Sequence, residues 1–246
     1  MLQSTLSATP LTTTLLRSAA SHWPAVAKWS SLDYLSSAVP PHTHVRAELG
    51  GPYTSPDCTE LRLPFADIIG YLRLAADRGS PPPTSEQCYV AQDPDLLNDS
   101  PQLLADIDDS QLREAIGVSI DDPIDRRLWI GPMGTFTPLH RDPLCNVFVQ
   151  IVGEKTVWTA DADRDLPRVS GRQSANTTSL DPRESPDVTR HEMAAGDILV
   201  LPKKEWHAME SRSPVSVSLS VWWEGVVLSA LWMAGGPSQT TSYSHP

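Results

Sequence analysis

The run Trp129-Ile-Gly-Pro-Met-Gly-Thr-Phe-Thr137-Pro-Leu-His140-Arg-Asp142-Pro-Leu-Cys-Asn146 opens the part of the chain whose pattern decides the fold. From Arg127 onward short β-rich runs follow one another: Leu128–Ile130, Val147–Val152, Thr156–Thr159, Ile198–Leu201 and Val215–Trp223. Gly153-Glu154, between two of them, reads as a hairpin turn. Many short strands separated by turns predict a sandwich or barrel. Upstream the pattern is mixed. Val45–Leu49 reads as a strand. Pro64–Asp77 reads as a helix, with Pro64 in its first turn and Phe65, Ile68, Ile69, Leu72 and Ala76 at helical spacing. Arg78–Gln87 is a loop, and Ser100-Pro101 starts a second helix with Leu103, Leu104 and Ile107 on one face. Residues 1–10 read as a frayed terminus. Asp161–His191 reads as a long polar loop, a length that in a compact domain marks either a functional or a disordered segment.

Composition narrows the classes. The 246 residues carry a net charge of −11, which argues against a nucleic-acid backbone or an anionic membrane as the main partner. With 23 Pro and 13 Gly, a helical bundle is excluded; with 40% hydrophobic residues and eight Trp, so is disorder throughout. Three cysteines, Cys58, Cys88 and Cys145, form no C-x-x-C motif and suit a reducing compartment. The longest apolar run, Val226–Ala234, is too short to span a membrane. The first twenty residues hold one basic residue, Arg17, so mitochondrial targeting is not expected.

The chemistry lies in the quoted run. In a strand, alternate side chains share a face. His140 and Asp142 then point the same way, as does Asn146 if the strand continues past Pro143. One imidazole and one carboxylate are two ligands for a first-row metal. His207, just after the Ile198–Leu201 strand, is the candidate third. Two His and one carboxylate with open positions is the ligand set of non-haem Fe(II) oxygenases. Lys155 stands in an otherwise apolar strand, where it is either a solvated edge charge or a buried cation awaiting an anion. Thr137 can offer that anion a hydroxyl. His42-Thr-His44 has metal-like spacing but no acidic partner nearby. Asp108-Asp109 and Asp121-Asp122 read as solvated acids at a helix end and a turn.

These residues, with Gln150-Ile-Val-Gly-Glu-Lys155, Gly196-Asp-Ile-Leu-Val-Leu-Pro, Trp206-His207 and Ser216-Val-Ser-Leu-Ser-Val-Trp222-Trp223, resemble the JmjC family. The resemblance is to its small hydroxylase branch around lysine-specific demethylase 8, also described as a protein-arginine hydroxylase. It extends upstream to Ser21-His-Trp-Pro-Ala, Val45-Arg-Ala-Glu-Leu-Gly and Tyr89-Val-Ala-Gln92. It implies an all-β core with flanking helices, a JmjC/cupin-like double-stranded β-helix or jelly roll. Residues 1–126 would be the N-terminal helical and strand flank, 127–224 the β-helix core and 225–246 a C-terminal tail.

The resemblance also implies roles. His140, Asp142 and His207 would bind Fe(II). Lys155 would pair with the distal carboxylate of the cosubstrate 2-oxoglutarate, helped by Thr137 and the Tyr89 hydroxyl, and Asn146 would bond the cosubstrate near the metal. Glu48, Gln92, Trp129 and Trp222 would line the substrate pocket, where a carboxylate and two indoles suit a guanidinium or ammonium. The implied activity is 2-oxoglutarate-dependent hydroxylation of a protein side chain, arginine or lysine. Histone lysine demethylation by the same chemistry is the alternative, and a non-catalytic cupin-like binding module a third. The expected partner is a protein or peptide with a basic side chain, with no nucleic acid and no membrane, and the setting is intracellular, nuclear or cytoplasmic.

Overall fold

The computed structural model describes residues 12–116, 124–169 and 176–224. In chain order the elements are β1 (Thr14–Leu16), α1 (Pro24–Lys28), α2 (Leu32–Ala38), β2 (His44–Leu49), β3 (Thr59–Pro64), α3 (Phe65–Arg78), β4 (Cys88–Asp93), α4 (Pro101–Leu104), α5 (Asp109–Ile116), β5 (Asp125–Pro132), β6 (Phe136–Arg141), β7 (Cys145–Val152), β8 (Lys155–Ala160), β9 (Thr189–Met193), β10 (Ile198–Leu201), β11 (Trp206–Ser211) and β12 (Val215–Trp223). An eight-stranded sheet runs β1-β10-β7-β12-β5-β4-β2-β3 and a four-stranded sheet β6-β11-β8-β9. Every strand pairing is antiparallel. This is the jelly-roll core with flanking helices that the sequence predicts. Strands from residues 14–93 extend the same sheet as β5 and β12.

Strand alternation sorts the side chains into three apolar layers. On β7, Val147, Val149 and Ile151 face the helices, packing with Trp23, Trp29, Leu35, Ile68 and Leu72, while Phe148 faces inward. On β10, Ile198 and Val200 face the helices, and Leu199 and Leu201 face inward. The inner layer joins Tyr89, Trp129, Phe148 and Leu199 of the large sheet to Val157, Met193 and Met209 of the small one. A third layer covers the outer face of the small sheet. There Leu139, Trp158, Trp206 and Ala208 meet Leu166, Leu180 and Val188 from the long connection after β8.

That connection is therefore not simply polar. Thr177 bridges to His140 on the free edge of β6, and the last residues of the expected loop belong to β9, paired with β8. Gly153-Glu154 is a turn but not a hairpin: β7 and β8 lie in different sheets, and the chain turns a corner between them. Gly153 has φ +74°, and a Cβ there would stand 2.5 Å from the Val215 carbonyl oxygen. The strand carrying His140 does not continue past Pro143 either. It ends at Arg141, and Asn146 belongs to β7 in the other sheet.

Helix α3 starts one residue later than expected, with Pro64 preceding it and Gly79 (φ +68°) closing it. The second expected helix is a single turn, α4, because the chain leaves it to bury Asp106. Asp106 accepts from Lys28 Nζ (2.6 Å), Trp29 Nε1 (3.0 Å) and the Tyr34 hydroxyl, tying α1 and α2 together. Asp108 caps α5 by accepting from the Gln111 N–H at 2.9 Å. Asp109 is not a free solvated acid, since Arg113 and Arg126 both hold it. Asp121-Asp122, residues 1–10, the run Val226–Ala234 and the tail 225–246 lie outside the described residues. Among the described residues no helix is long and apolar enough to cross a membrane.

Candidate active site

His140 and His207 sit directly opposite each other across the β6–β11 ladder, their ring centroids 4.3 Å apart. Asp142 lies one residue past the end of β6, not on its face. Its place is set by the backbone: the Lys204 N–H, in a turn with φ +67°, donates to the Asp142 carbonyl at 2.7 Å. His207 thus joins His140 through the ladder, and Asp142 is tied to the turn that leads into His207. The Asp142 oxygens lie 3.8 Å from His140 Nε2 and 3.6 Å from His207 Nε2. Ligating atoms of the three residues fall within 4.8 Å of one another, and this is the metal-sized group found among the described residues. His42 and His44 form no such group: His44 Nδ1 bonds the His42 carbonyl at 2.9 Å.

The ring orientation is built in. His140 Nδ1 donates to the Pro138 carbonyl (2.8 Å) and His207 Nδ1 to the Glu205 carbonyl (2.9 Å). A carbonyl only accepts, so Nδ1 carries the proton of each neutral imidazole and Nε2 carries the lone pair. Burial, then the charge of His207, lowers the His140 pKa to about 4. Burial pushes the Asp142 carboxyl up, but the hydrogen bond and charge of His207, with His140, outweigh it and bring it to about 2. Burial lowers His207, and Asp142 more than reverses this. A divalent cation among the three would answer the same negative charge.

Lys155, the first residue of β8, is 1% exposed. Its ammonium lies 5.3 Å from the Phe148 ring centre and 5.9 Å from that of Tyr89. Among the described residues no hydrogen bond or ion pair reaches it, and burial brings its pKa down to about 7. It is the buried cation, not the edge charge. The Thr137 side chain lies beside the Tyr89 hydroxyl. Gly131 makes room for Tyr89, since a Cβ there would stand 2.6 Å from Tyr89 Cδ2. Asn146, also buried, donates to Ser220 Oγ at 3.3 Å, and its own carbonyl oxygen has no partner. A buried ammonium without an anion among the described residues, set between the Tyr89 and Phe148 rings in the same interior as two imidazoles and a carboxylate, fits an iron ion with an anionic 2-oxo acid.

A cavity of about 490 Å³ opens on this centre. His140, Asp142, Glu48 and Gln92 line it, together with Arg46, Tyr53, Cys58, Glu60 and Asn176. Gln92 turns into it from a break in the β4–β5 register, with φ +54°. Glu48 faces Glu60 across the β2–β3 ladder, and Arg46 donates to Glu60 at 2.5 Å. Burial raises the Glu48 pKa to about 7; Arg46 opposes this and Glu60 adds to it. Tyr53 stands edge-on to His140 at 6.4 Å, and its hydroxyl meets Thr177 Oγ1 at 2.8 Å.

Neither Trp129 nor Trp222 is among the residues lining this cavity, but Trp222 reaches Asp142, which does line it, and helps to hold that carboxyl ionised. Trp129 belongs to the inner apolar layer and donates to Ser220 Oγ at 3.0 Å. Trp222 packs against the same layer, with the Arg127 guanidinium 5.8 Å above its ring. Five lining residues escape the sequence reading. Arg46 was reachable, because it alternates with Glu48 on β2; Tyr53, Cys58, Glu60 and Asn176 arrive from loops and a neighbouring strand with no local signal.

A family model described as a cupin-like domain matches residues 10–227. The chain is 31% identical over 228 residues to Jumonji C domain-containing protein 5 of Drosophila melanogaster, covering 86% of this chain and 54% of that one. It is 30% identical to lysine-specific demethylase JMJ30 of Arabidopsis thaliana, covering 87% and 50%, and 30% identical to lysine-specific demethylase 8 of Xenopus tropicalis, covering 82% and 46%. The chain spans about half the length of these curated relatives.

Proposed function

The chain belongs to the cupin-like domain family, and from that premise we propose that it is an Fe(II)- and 2-oxoglutarate-dependent oxygenase hydroxylating an arginine or lysine side chain of a protein. The observation that carries this is the unpaired, buried Lys155 ammonium in the same interior as the His140–Asp142–His207 group. A metal site alone needs no such cation; a dicarboxylate cosubstrate does.

When bound, iron and 2-oxoglutarate would let dioxygen act as the oxidant: one of its oxygen atoms would enter the substrate C–H bond and the other succinate, with loss of carbon dioxide from the 2-oxo acid. The chain supplies the rest. His140, Asp142 and His207 hold the metal and leave positions open. Lys155 takes the distal carboxylate, with the Tyr89 and Thr137 hydroxyls donating, and Asn146 bonds the cosubstrate close to the metal. Phe148, Val157 and Leu199 keep the chamber dry, which strengthens each of these polar interactions. Glu48, ionised, holds the cationic end of the substrate and Gln92 bonds beside it; Trp129 and Trp222 back this region from the interior. Residues 1–126 flank a core of 127–224. The partner is a basic protein segment, suited to a chain of charge −11, and the setting is intracellular, nuclear or cytoplasmic, where the three cysteines stay reduced.

The names of two relatives favour a second reading, demethylation of an N-methyl-lysine at the same centre. One experiment separates them. Iron-loaded protein with 2-oxoglutarate is offered unmodified basic peptides and methylated histone peptides. The expected result is succinate with a gain of one oxygen atom on the unmodified peptides. Formaldehyde from the methylated peptides, with no oxygen gained elsewhere, would replace hydroxylation by demethylation. No succinate under any condition would leave the cupin-like binding module.

A further inference from the structure

The Asn146 amide and Ser220 carry an imbalance of donors. Ser220 Oγ, on β12, receives two of them: Trp129 Nε1 at 3.0 Å and Asn146 Nδ2 at 3.3 Å. Among the described residues no acceptor is recorded for its own proton, and Asn146 Oδ1 is buried with nothing donating to it. A hydroxyl holds one proton and an amide holds one acceptor. Here the two sit side by side and do not meet. A buried acceptor left unmatched keeps its desolvation cost with nothing to offset it.

A half-turn of the amide about its Cβ–Cγ bond exchanges nitrogen and oxygen while keeping its shape. The line then closes in one direction. The Trp129 N–H donates to Ser220, the Ser220 O–H donates to Asn146 Oδ1, and the Asn146 NH2 takes the place where the unmatched oxygen stood. The group left over is now a donor. Its polarity suits a 2-oxo acid, whose oxygens only accept; a leftover carbonyl would repel it.

We propose that Ser220, oriented by Trp129, is a positioning residue: it fixes the Asn146 amide so that N–H rather than C=O faces the cosubstrate. This rests on the oxygenase reading above for its purpose, but not for its geometry. It gives Trp129 a task that an ordinary core tryptophan lacks, since Phe at that position would fill the layer and leave Ser220 without its donor.

Two measurements test it. Neutron diffraction of the zinc-loaded protein should show the Ser220 deuteron directed at Asn146 Oδ1 and the ND2 turned away from Ser220. An Asn146 N–D directed at Ser220, with the amide oxygen turned away from it, would overturn the proposal. Calorimetric titration of 2-oxoglutarate into the zinc-loaded protein is the second. Ser220→Ala should weaken binding about tenfold, the order of one well-placed hydrogen bond. Asn146→Ala should weaken it at least as much, and the double variant no more than Asn146→Ala alone, because Ser220 acts through Asn146. A lower unfolding midpoint in Ser220→Ala with unchanged affinity, or additive losses in the double variant, would make Ser220 merely structural. Wild-type protein that binds no 2-oxoglutarate would instead sink the oxygenase reading, and the neutron map alone would then decide the relay.

Discussion

Two buried charges in this molecule are treated in opposite ways. The Asp106 carboxylate, in the helical flank, is met by Lys28, Trp29 and Tyr34. Burial pushes its pKa up, and these three outweigh burial and pull it below the usual carboxylate value. The Lys155 ammonium, inside the jelly roll, is met among the described residues by aromatic rings alone, and burial drags its pKa down to about 7. A satisfied buried charge binds elements together, whereas an unsatisfied one lowers stability and persists where something else completes it. The same contrast sets Asp106 against Asp142, which faces two imidazoles aimed by backbone carbonyls at a common point.

The largest expected effect is at that point. His140→Ala or Asp142→Ala should abolish succinate formation from 2-oxoglutarate while the circular dichroism spectrum stays native. Undiminished turnover in either purified variant would erase the distinction between the two regions.

Next comes a paired exchange that sharpens the comparison. Lys155→Met keeps the length of the side chain and removes its charge. It should weaken 2-oxoglutarate binding by about 30-fold to several-thousand-fold, the range for breaking a buried charge pair, without lowering the unfolding midpoint of the ligand-free protein. Asp106→Asn should do the reverse. The loss of a charged acceptor for Trp29 and Tyr34 should cost about 1–3 kcal/mol of stability and leave 2-oxoglutarate affinity alone. Because the Asp106 pKa is depressed, its contribution is present above the unfolded-state carboxylate pKa and is lost as pH falls through the folded value. Asp106→Asn should therefore flatten the acid limb of the stability curve. Urea titrations at several pH values, beside calorimetry, would show whether the two effects separate.

The smallest effect concerns Glu48. Its pKa of about 7 leaves the carboxyl neutral in mild acid and charged in mild base. Binding of an arginine-containing peptide should tighten as pH rises through that value, by about tenfold over the transition, and Glu48→Gln should bind weakly with no such slope. A slope that survives in Glu48→Gln would assign it to another group.

Much of this was legible in the chain. Alternation in Val215–Trp223 and Val147–Val152 predicts strands with two different faces, and the structure places those strands side by side at the centre of the large sheet. The three candidate metal ligands stand out by type and spacing. Less legible were β3, whose polar residues and closing proline mask the strand pattern, the end of β6, which stops before Asp142, and the helix α5, whose short apolar stripe includes Leu112 packed into the helical layer. Trp129 and Trp222 were expected on the cavity wall because an aromatic beside a carboxylate suits a cation; Trp129 belongs to the interior layer, and Trp222 packs against that layer while reaching Asp142.

The sequence by itself determined the chemistry available: two imidazoles, a carboxylate, an out-of-place lysine, and the β pattern that carries them. Those follow from residue type and period, which are local properties. Only the tertiary structure decided that His140 and His207 are cross-strand neighbours although 67 positions separate them in the chain. It alone decided that Asp142 comes from a turn, that the turn at Gly153 joins two sheets, and that Tyr53 and Asn176 reach the cavity from separate loops. Register and sheet membership are set by the sum of packing between distant segments, and no window of sequence contains that sum.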